Sequence, residues 1–133
     1  MKRRNGFTLI ELLLVLVIIT VLASIVVPRF TGQAEKAKIT KAKADIANIE
    51  TSLKMFETEN GRFPTSDEGL TALVQAPSNL PNWHAYLDKG VPVDPWGNPY
   101  VYKFPGTHGT DFDLYSLGPD GREGNDDIVN WQQ

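Results

Sequence analysis

The strongest constraint on this chain is a run of 21 almost entirely apolar residues, 7 to 27, that follows a short basic start. At about 1.5 Å per residue, a helix of this length spans the roughly 30 Å of hydrocarbon in a bilayer. A signal peptide also has a basic start, but its apolar segment is usually only about 7–15 residues long. The run therefore favours a retained membrane-spanning helix over a secreted domain that would begin at Ser24.

Glu11 places a carboxylate inside this apolar run. Insertion scales put the cost of an acidic side chain at a helix centre at about 2.5–3.5 kcal/mol, so such residues are functional candidates by default. The alternative is that Glu11 lies close enough to the helix end to reach lipid headgroups. Basic residues flank the run on both sides, so the positive-inside rule does not select its orientation.

The helical signal continues beyond the apolar run, because residues 31 to 60 are rich in helix-forming Ala, Lys and Glu. We predict one helix from about residue 8 to 59, bent at Pro28 and ended by a left-handed cap at Asn60-Gly61. One face of its second half carries an apolar stripe with spacings of three and four residues, which predicts packing on the domain's own core. The stripe consists of Ile39, Ala42, Ile46, Ile49, Leu53 and Phe56.

The remaining sequence predicts a short helix and a few strands. Thr65 and Glu68 fit a capping box that opens a helix over residues 66–75. Aromatic and β-branched residues predict strands over 100–104, 111–117 and 127–131, with a hairpin turn at 106–109. The predicted fold is α+β, with a long N-terminal helix packed on a small antiparallel sheet that carries a C-terminal loop.

Three acidic residues, Asp120, Asp126 and Asp127, lie in this glycine-rich C-terminal loop. Carboxylates so close in sequence repel one another unless a cation gathers them, and hard oxygen donors suit Ca²⁺. The residues alone leave two interpretations open, a calcium site and a solvated acidic turn. His108, Asp111 and Asp113 lie nearby, and outward polar positions of a hairpin explain them better than a zinc site does.

Several functional classes are disfavoured. The chain has no cysteine and therefore no disulfide or thiolate metal site, and its formal net charge of -3 argues against nucleic-acid binding. No Ser/His/Asp grouping, phosphate-binding glycine loop or helical His pair stands out. The sequence therefore predicts a protein that is not an enzyme.

Residues 6 to 11, Gly-Phe-Thr-Leu-Ile-Glu, resemble the N-terminal motif of type IV pilins and pseudopilins. The resemblance implies that a prepilin peptidase cuts after Gly6 and methylates the new N-terminal residue, Phe7. Glu11 matches the carboxylate of the family's motif. Because cleavage would give Phe7 a protonated α-amino group, our hypothesis is that Glu11 pairs with this amine of a neighbouring subunit in a filament. Pro28 matches the position at which the helix of this family bends.

The C-terminal half resembles the major pseudopilins of type II secretion more closely than it resembles pilins. The resemblance rests on Asp-Pro-Trp-Gly-Asn-Pro-Tyr at 94–100, Tyr-Ser-Leu-Gly-Pro-Asp-Gly at 115–121 and Asn-Asp-Asp-Ile at 125–128. Type IV pilins often close this region with a disulfide, which this chain cannot form. The family's major pseudopilin binds calcium in the corresponding loop. Here that implies side-chain ligands Asp120, Asp126 and Asp127, and carbonyl ligands Leu117, Arg122 and Gly124.

The resemblance implies a precursor with a leader at 1–6, a transmembrane and polymerisation helix at 7–30 and a periplasmic domain at 31–133. The mature chain would be a single-pass inner-membrane protein that forms a homopolymer and drives secretion across the outer membrane. Its implied partners are prepilin peptidase, minor pseudopilins and an inner-membrane assembly platform. The alternatives are a type IV or competence pilin, and a membrane-anchored calcium-binding module that never polymerises.

Overall fold

The computed structural model describes residues 1 and 5–131, and for residues 27–31 it describes the helical backbone without the side chains. A single α-helix, α1, runs over Leu9–Asn60, which confirms the predicted long helix. The chain divides into two compact units, Met1–Ala37 and Lys38–Gln133. The predicted bend at Pro28 falls among the residues whose side chains lie outside the description, so it stays a prediction.

The first unit is dominated by the apolar part of α1. Its segment Leu9–Val26, of 18 residues, is long and apolar enough to cross a membrane by length and composition. Every side chain of this segment is exposed in the isolated chain. The hydroxyls of Thr20 and Ser24 donate to the helix's own carbonyls, at 2.7 Å to Leu16 O and 2.7 Å to Val21 O. The segment therefore needs no outside partner for these polar groups, but it has an uncovered apolar surface.

In the second unit, α1 buries the predicted apolar stripe. Ala42, Ile49, Leu53 and Phe56 are completely buried, whereas Met55 on the opposite face is 49% exposed. The helix ends at Gly61, which has a φ of 74° and donates its amide to Glu57 O at 2.8 Å. This left-handed residue is the predicted cap, and glycine adopts its conformation without steric cost.

The sheet has three antiparallel strands in the order β1-β2-β3, formed by Val101–Lys103, Asp113–Ser116 and Ile128–Val129. All three lie inside the predicted segments but are shorter. At the first hairpin, the amide of Phe104 donates to Ser66 Oγ at 2.9 Å and that of Gly106 to Asp111 O at 2.9 Å. These bonds use amides that a longer ladder would need, so the connection is a wide loop.

Helix and sheet share one core, which confirms the predicted α+β fold. The helical stripe packs with Leu70 and Leu73, with the aromatic side chains of Tyr102 and Phe112, and with sheet residues such as Leu114. All four residues of β2 are buried. Because β2 is the central strand and is buried, the loop that follows it starts from a fixed point.

The predicted short helix is present with its capping box, but it is shorter than predicted and is a 3₁₀ helix. Glu68 N donates to Thr65 Oγ1 at 3.2 Å, and Thr65 N donates to Glu68 Oε2 at 2.8 Å. The next residue, Gly69, has a φ of 60°, outside the range of either helix type, so no regular helix continues through it from the capping box. The 3₁₀ helix covers Gly69–Leu73.

Candidate functional site

The N-terminal candidate site lies where the chain enters α1. Residues 5–8 are non-helical and exposed, and the helix begins at Leu9. A Cβ built on Gly6 would meet no atom within 4 Å. The fold of this chain therefore places no steric demand for glycine at this position.

Glu11 folds back onto the start of its own helix. Its Oε2 accepts from Thr8 N at 2.7 Å and from Thr8 Oγ1 at 2.9 Å, while Glu11 N donates to Thr8 Oγ1 at 3.4 Å. This reciprocal arrangement is a capping box. This capping box was not predicted, although Thr-Leu-Ile-Glu at 8–11 has the required spacing.

The Glu11 carboxylate has no cation within its own segment, because residues 5–26 contain no Lys or Arg. The bonds from Thr8 satisfy part of its hydrogen-bonding capacity but bring no positive charge to it. A carboxylate at a helix N-terminus is also favoured by the helix dipole. The geometry thus holds the carboxylate at the start of the helix, on Thr8.

The C-terminal candidate site is the loop of residues 117–127, which connects β2 to β3. Gly118 and Gly121 adopt left-handed backbone conformations, with φ of 66° and 69°. A Cβ on Gly118 would lie 2.6 Å from Asp126 O and 3.1 Å from Asp126 Oδ2. Glycine is therefore required at 118, where the start of the loop packs directly on its end.

The structure places the three predicted acidic ligands in this loop but holds each one locally. Asp120 Oδ1 accepts from Arg122 N at 2.8 Å, and Asp127 Oδ2 accepts from Gly124 N at 3.2 Å. The Asp126 side chain is exposed and lies between Gly118 and Gly124. Within the described part of the chain, no three His, Cys, Asp or Glu side chains are gathered as a metal site.

Asp127 is the ligand candidate with an unsatisfied carboxylate oxygen. Its Oδ1 is buried and has no hydrogen-bond partner, unlike any other buried side-chain oxygen or nitrogen among the described residues. Leaving a buried polar atom unsatisfied costs about 1–3 kcal/mol, and more when it is charged. The predicted carbonyl donors occur on the same loop, with Leu117 at its start and the exposed Arg122 and Gly124 near its middle. The loop offers only hard oxygen donors, which fits a calcium ion.

Glu123 ties the middle of the loop to the sheet, a role that the sequence analysis missed. Its Oε1 accepts from Tyr115 Oη at 2.5 Å and from Lys103 Nζ at 3.3 Å. The Tyr115 hydrogen bond, followed by that of Lys103, holds the pKa of the Glu123 carboxyl below its ordinary value. No local signal could have found these contacts, because their partners lie on β1 and β2.

Asp113 corrects one sequence prediction. It was expected to point outward from a hairpin, but it is 1% exposed. Its Oδ2 accepts from Thr107 Oγ1 at 2.7 Å and lies 3.0 Å from His108 Nδ1. Burial raises the pKa of the Asp113 carboxyl, but these bonds outweigh burial and leave the pKa below its ordinary value. Asp113 is thus a structural carboxylate that anchors the hairpin loop.

The motif at 94–100 forms a turn. Gly97 N donates to Asp94 O at 2.9 Å, and Asp94 N donates to Asn98 O at 2.8 Å. Trp96 is partly buried against the core, whereas Asp94 is 2% exposed. The motif therefore buries its carboxylate more deeply than its indole ring.

Two family models match this chain. The model described as type II secretion system protein G matches residues 29–131, and the prokaryotic N-terminal methylation motif matches residues 1–27. Together they cover nearly the whole sequence.

Named relatives agree with these matches. The chain is 50% identical to the type II secretion system core protein G of Pseudomonas aeruginosa, over 98% of this chain and 96% of the relative. It is 48% identical to the protein of that name in Klebsiella pneumoniae, with coverage of 98% and 96%. The crystal structure of the major pseudopilin of enterohaemorrhagic Escherichia coli matches with a TM-score of 0.67 and 39% identity, covering 80% of this chain and 96% of that one.

Proposed function

Because the chain belongs to the family of type II secretion system protein G, the major pseudopilins, we propose that it is cut after Gly6 and polymerises through α1 into a pseudopilus. Members of this family are structural subunits of a secretion system and not enzymes. The observation that carries the proposal is the segment Leu9–Val26, whose side chains are all exposed and whose sole charged side chain is Glu11. Such a surface is covered either by lipid or by like helices.

The filament needs a cation for Glu11 once the helix leaves the headgroup region. Cleavage after Gly6 gives Phe7 a new α-amino group, which is largely protonated at neutral pH. In a filament, the protonated amine of a neighbouring subunit supplies Glu11 with the positive charge that the neutral Thr8 cannot provide. A buried charge without a partner is strongly unfavourable, so this pair favours one axial register between subunits. Contacts of this head-to-tail kind do not close and produce open-ended growth.

Processing is tested by the mass of the mature chain after co-expression with a prepilin peptidase. A chain that begins at Phe7 supports the proposal, one that begins at Met1 indicates a plain anchor, and one that begins at Ser24 indicates secretion. Gly6→Ala is expected to remain uncut with an unchanged fold, because a Cβ at this position meets no atom within 4 Å. Asn5→Ala is the matched control and is expected to be cut normally.

Polymerisation is tested by sedimentation of filaments sheared from cells that carry the secretion system. Glu11→Val is expected to abolish the filament pellet while the variant chain remains in the membrane. Thr20→Val is the control, because it also removes a polar group from the apolar helix, but one that is satisfied by Leu16 O at 2.7 Å. Glu11→Val subunits that assemble in the wild-type register contradict the proposed pair.

The membrane topology follows from the same proposal. The apolar segment anchors the precursor in the inner membrane as a single pass, and the domain after Pro28 lies in the periplasm. Prepilin peptidase, minor pseudopilins and the inner-membrane assembly platform are the proposed partners, and the filament drives secretion across the outer membrane. A protease added to spheroplasts is expected to degrade the domain at residues 31–133. Protection of this domain contradicts the orientation.

The C-terminal loop is proposed to bind one Ca²⁺. The side chains of Asp120, Asp126 and Asp127 would hold it, with the carbonyls of Leu117, Arg122 and Gly124. The buried, unpartnered Oδ1 of Asp127 supports this proposal, because a cation would compensate an oxygen that the protein leaves unsatisfied. When bound, the ion would join the two ends of the loop and add its binding free energy to the stability of the domain.

Calcium binding is tested by thermal unfolding of the full chain in detergent, with excess Ca²⁺ and with a chelator. Calcium at about a hundredfold excess over Kd stabilises by about 2.7 kcal/mol, which corresponds to a rise in Tm of about 10 °C for a domain of this size. Asp126→Ala is expected to abolish the rise. Asp111→Ala, an exposed carboxylate outside the loop, is expected to retain it. Identical melts of the wild-type chain in both conditions contradict the calcium site.

A further inference from the structure

The Asp94 carboxylate connects the turn at 94–100 to the strand that precedes the acidic loop. It is 2% exposed, and both of its oxygens accept hydrogen bonds. Oδ1 accepts from Asn98 N at 2.7 Å and from Trp96 N at 3.1 Å, while Oδ2 accepts from Ser116 Oγ at 2.6 Å. These three hydrogen bonds join the turn to β2 through one buried side chain.

Ser116 carries the connection into the loop. Its side chain is completely buried, and its Oγ accepts from Gly118 N at 3.2 Å while donating to Asp94. Gly118 in turn packs on Asp126, because a Cβ at Gly118 would lie 2.6 Å from Asp126 O. A continuous path of contacts thus runs from Asp94 to a proposed calcium ligand.

A second contact holds the loop from the same turn. The side-chain amide of Asn98 lies against Gly121, where a Cβ would be 3.3 Å from Asn98 Nδ2. The Asn98 backbone amide is bound to Asp94 Oδ1. The turn therefore supports the loop at Gly121 directly, through Asn98, and at Gly118 through Ser116, and these two glycines bracket Asp120.

We propose that Ser116 and Asp94 are positioning residues for the calcium site, which set its affinity without contacting the ion. This inference rests on the calcium site proposed above. Replacing a residue that hydrogen-bonds to a metal ligand, without contacting the metal, typically weakens metal binding about 10–100-fold. Ser116 is the sharper probe of the two, since its hydroxyl alone joins the Asp94 carboxylate to the Gly118 amide.

The test is a calorimetric titration of the full chain in detergent with calcium chloride, comparing wild type with Ser116→Ala. The variant is expected to bind calcium about tenfold or more weakly. Ser52→Ala is the matched control: this serine is also buried, at 5% exposure, and its Oγ donates to Tyr86 O at 3.2 Å, away from the loop. Ser52→Ala is expected to lower the Tm of the calcium-free chain while keeping wild-type calcium affinity.

The outcomes separate this inference from the calcium proposal itself. Wild-type affinity in Ser116→Ala overturns the positioning role alone, whereas a wild-type chain that gives no binding heat overturns both. Equal loss of calcium affinity in Ser116→Ala and Ser52→Ala also overturns the positioning role, because the loss would then reflect general destabilisation of the domain. If Ser116→Ala does not fold, Asn98→Ala removes the contact with Gly121 and is expected to weaken calcium binding in the same direction. Unchanged affinity in Asn98→Ala then overturns the role of the turn.

Discussion

Arg62 and Glu68 form a two-point ion pair, with 2.7 Å between Nη1 and Oε2 and 2.8 Å between Nη2 and Oε1. The pair closes the segment between the end of α1 and the 3₁₀ helix. The hydrogen bonds from Arg62, together with the amide of Thr65, lower the pKa of the Glu68 carboxyl from 4.5 to about 2. The Glu68 carboxylate thus accepts the Thr65 amide in the capping box and also pairs with Arg62, which follows the end of α1.

The Glu68→Gln variant is expected to lose stability in a pH-dependent way. A carboxyl whose pKa is lower in the folded state stabilises the fold above its unfolded pKa, and this contribution is lost as pH falls. The variant should be about 1 kcal/mol less stable at pH 7, and the difference should shrink between pH 4.5 and about 2. Urea unfolding over this pH range measures it. Asp67→Asn, at an exposed neighbouring position, should leave the profile unchanged, and a gap independent of pH contradicts the argument.

Phe56→Ala is expected to destabilise the domain by about 3–5 kcal/mol, because truncation of a fully buried aromatic ring leaves a cavity. Phe56 is 0% exposed and packs on Tyr86 with 5.4 Å between ring centroids. The control is Met55→Ala, one residue earlier on the exposed face, which should change stability by less than about 0.5 kcal/mol. Chemical denaturation of both variants distinguishes the faces. Equal losses would show that this face of α1 does not pack on the core.

Gly118→Ala is expected to destabilise the domain more than Gly109→Ala. Both residues have positive φ, 66° and 84°, so both variants incur backbone strain of about 1–2 kcal/mol. A Cβ at Gly109 meets no atom within 4 Å, whereas one at Gly118 lies 2.6 Å from Asp126 O and must displace the loop. Thermal unfolding with a chelator present measures this difference without any metal effect. Matching Tm values for the two variants contradict the close approach of Gly118 to Asp126.

His108→Ala is expected to cost about 1–2 kcal/mol, and His84→Ala less than about 0.5 kcal/mol. Each histidine stacks on an aromatic ring and lies beside a carboxylate: His108 on Trp131 beside Asp113, and His84 on Tyr86 beside Glu59. The carboxylates differ, because the side chain of Asp113 is 1% exposed and that of Glu59 is 40% exposed. Only the buried carboxylate cannot replace its lost partner with water. Urea unfolding at pH 7 ranks the two variants, and a reversed order contradicts the argument.

Local patterns predicted the long helix well, since a stripe at spacings of three and four residues specifies one helix face. They were less exact for the short helix predicted over 66–75. Gly69 has positive φ directly after a correct capping box, and the observed helix is a 3₁₀ helix that covers only Gly69–Leu73. The prediction for Asp113 was wrong because a polar residue in a strand usually faces solvent, and its hydrogen-bond partner Thr107 lies in a loop whose path the pattern did not specify.

The candidate sites divide in the same way. The Thr8–Glu11 capping box is a contact between residues three apart and was readable from the sequence, although it was not predicted. The calcium ligands were located by resemblance and stay a prediction. The support behind that loop, from Asp94 through Ser116, was not readable, because burial of a carboxylate depends on which distant donors fold around it.

The sequence by itself determined the apolar N-terminal segment, the amphipathic helix and the caps, because these depend on contacts within about one turn of chain. Tertiary structure alone decided the contacts that join distant segments. Asp94 meets Ser116 across 22 residues, Tyr102 Oη donates to Pro64 O across 38, and Asn130 donates to Glu50 across 80. Such pairs leave no local pattern, since a buried polar group needs a partner with the right geometry and not one at a set spacing in sequence.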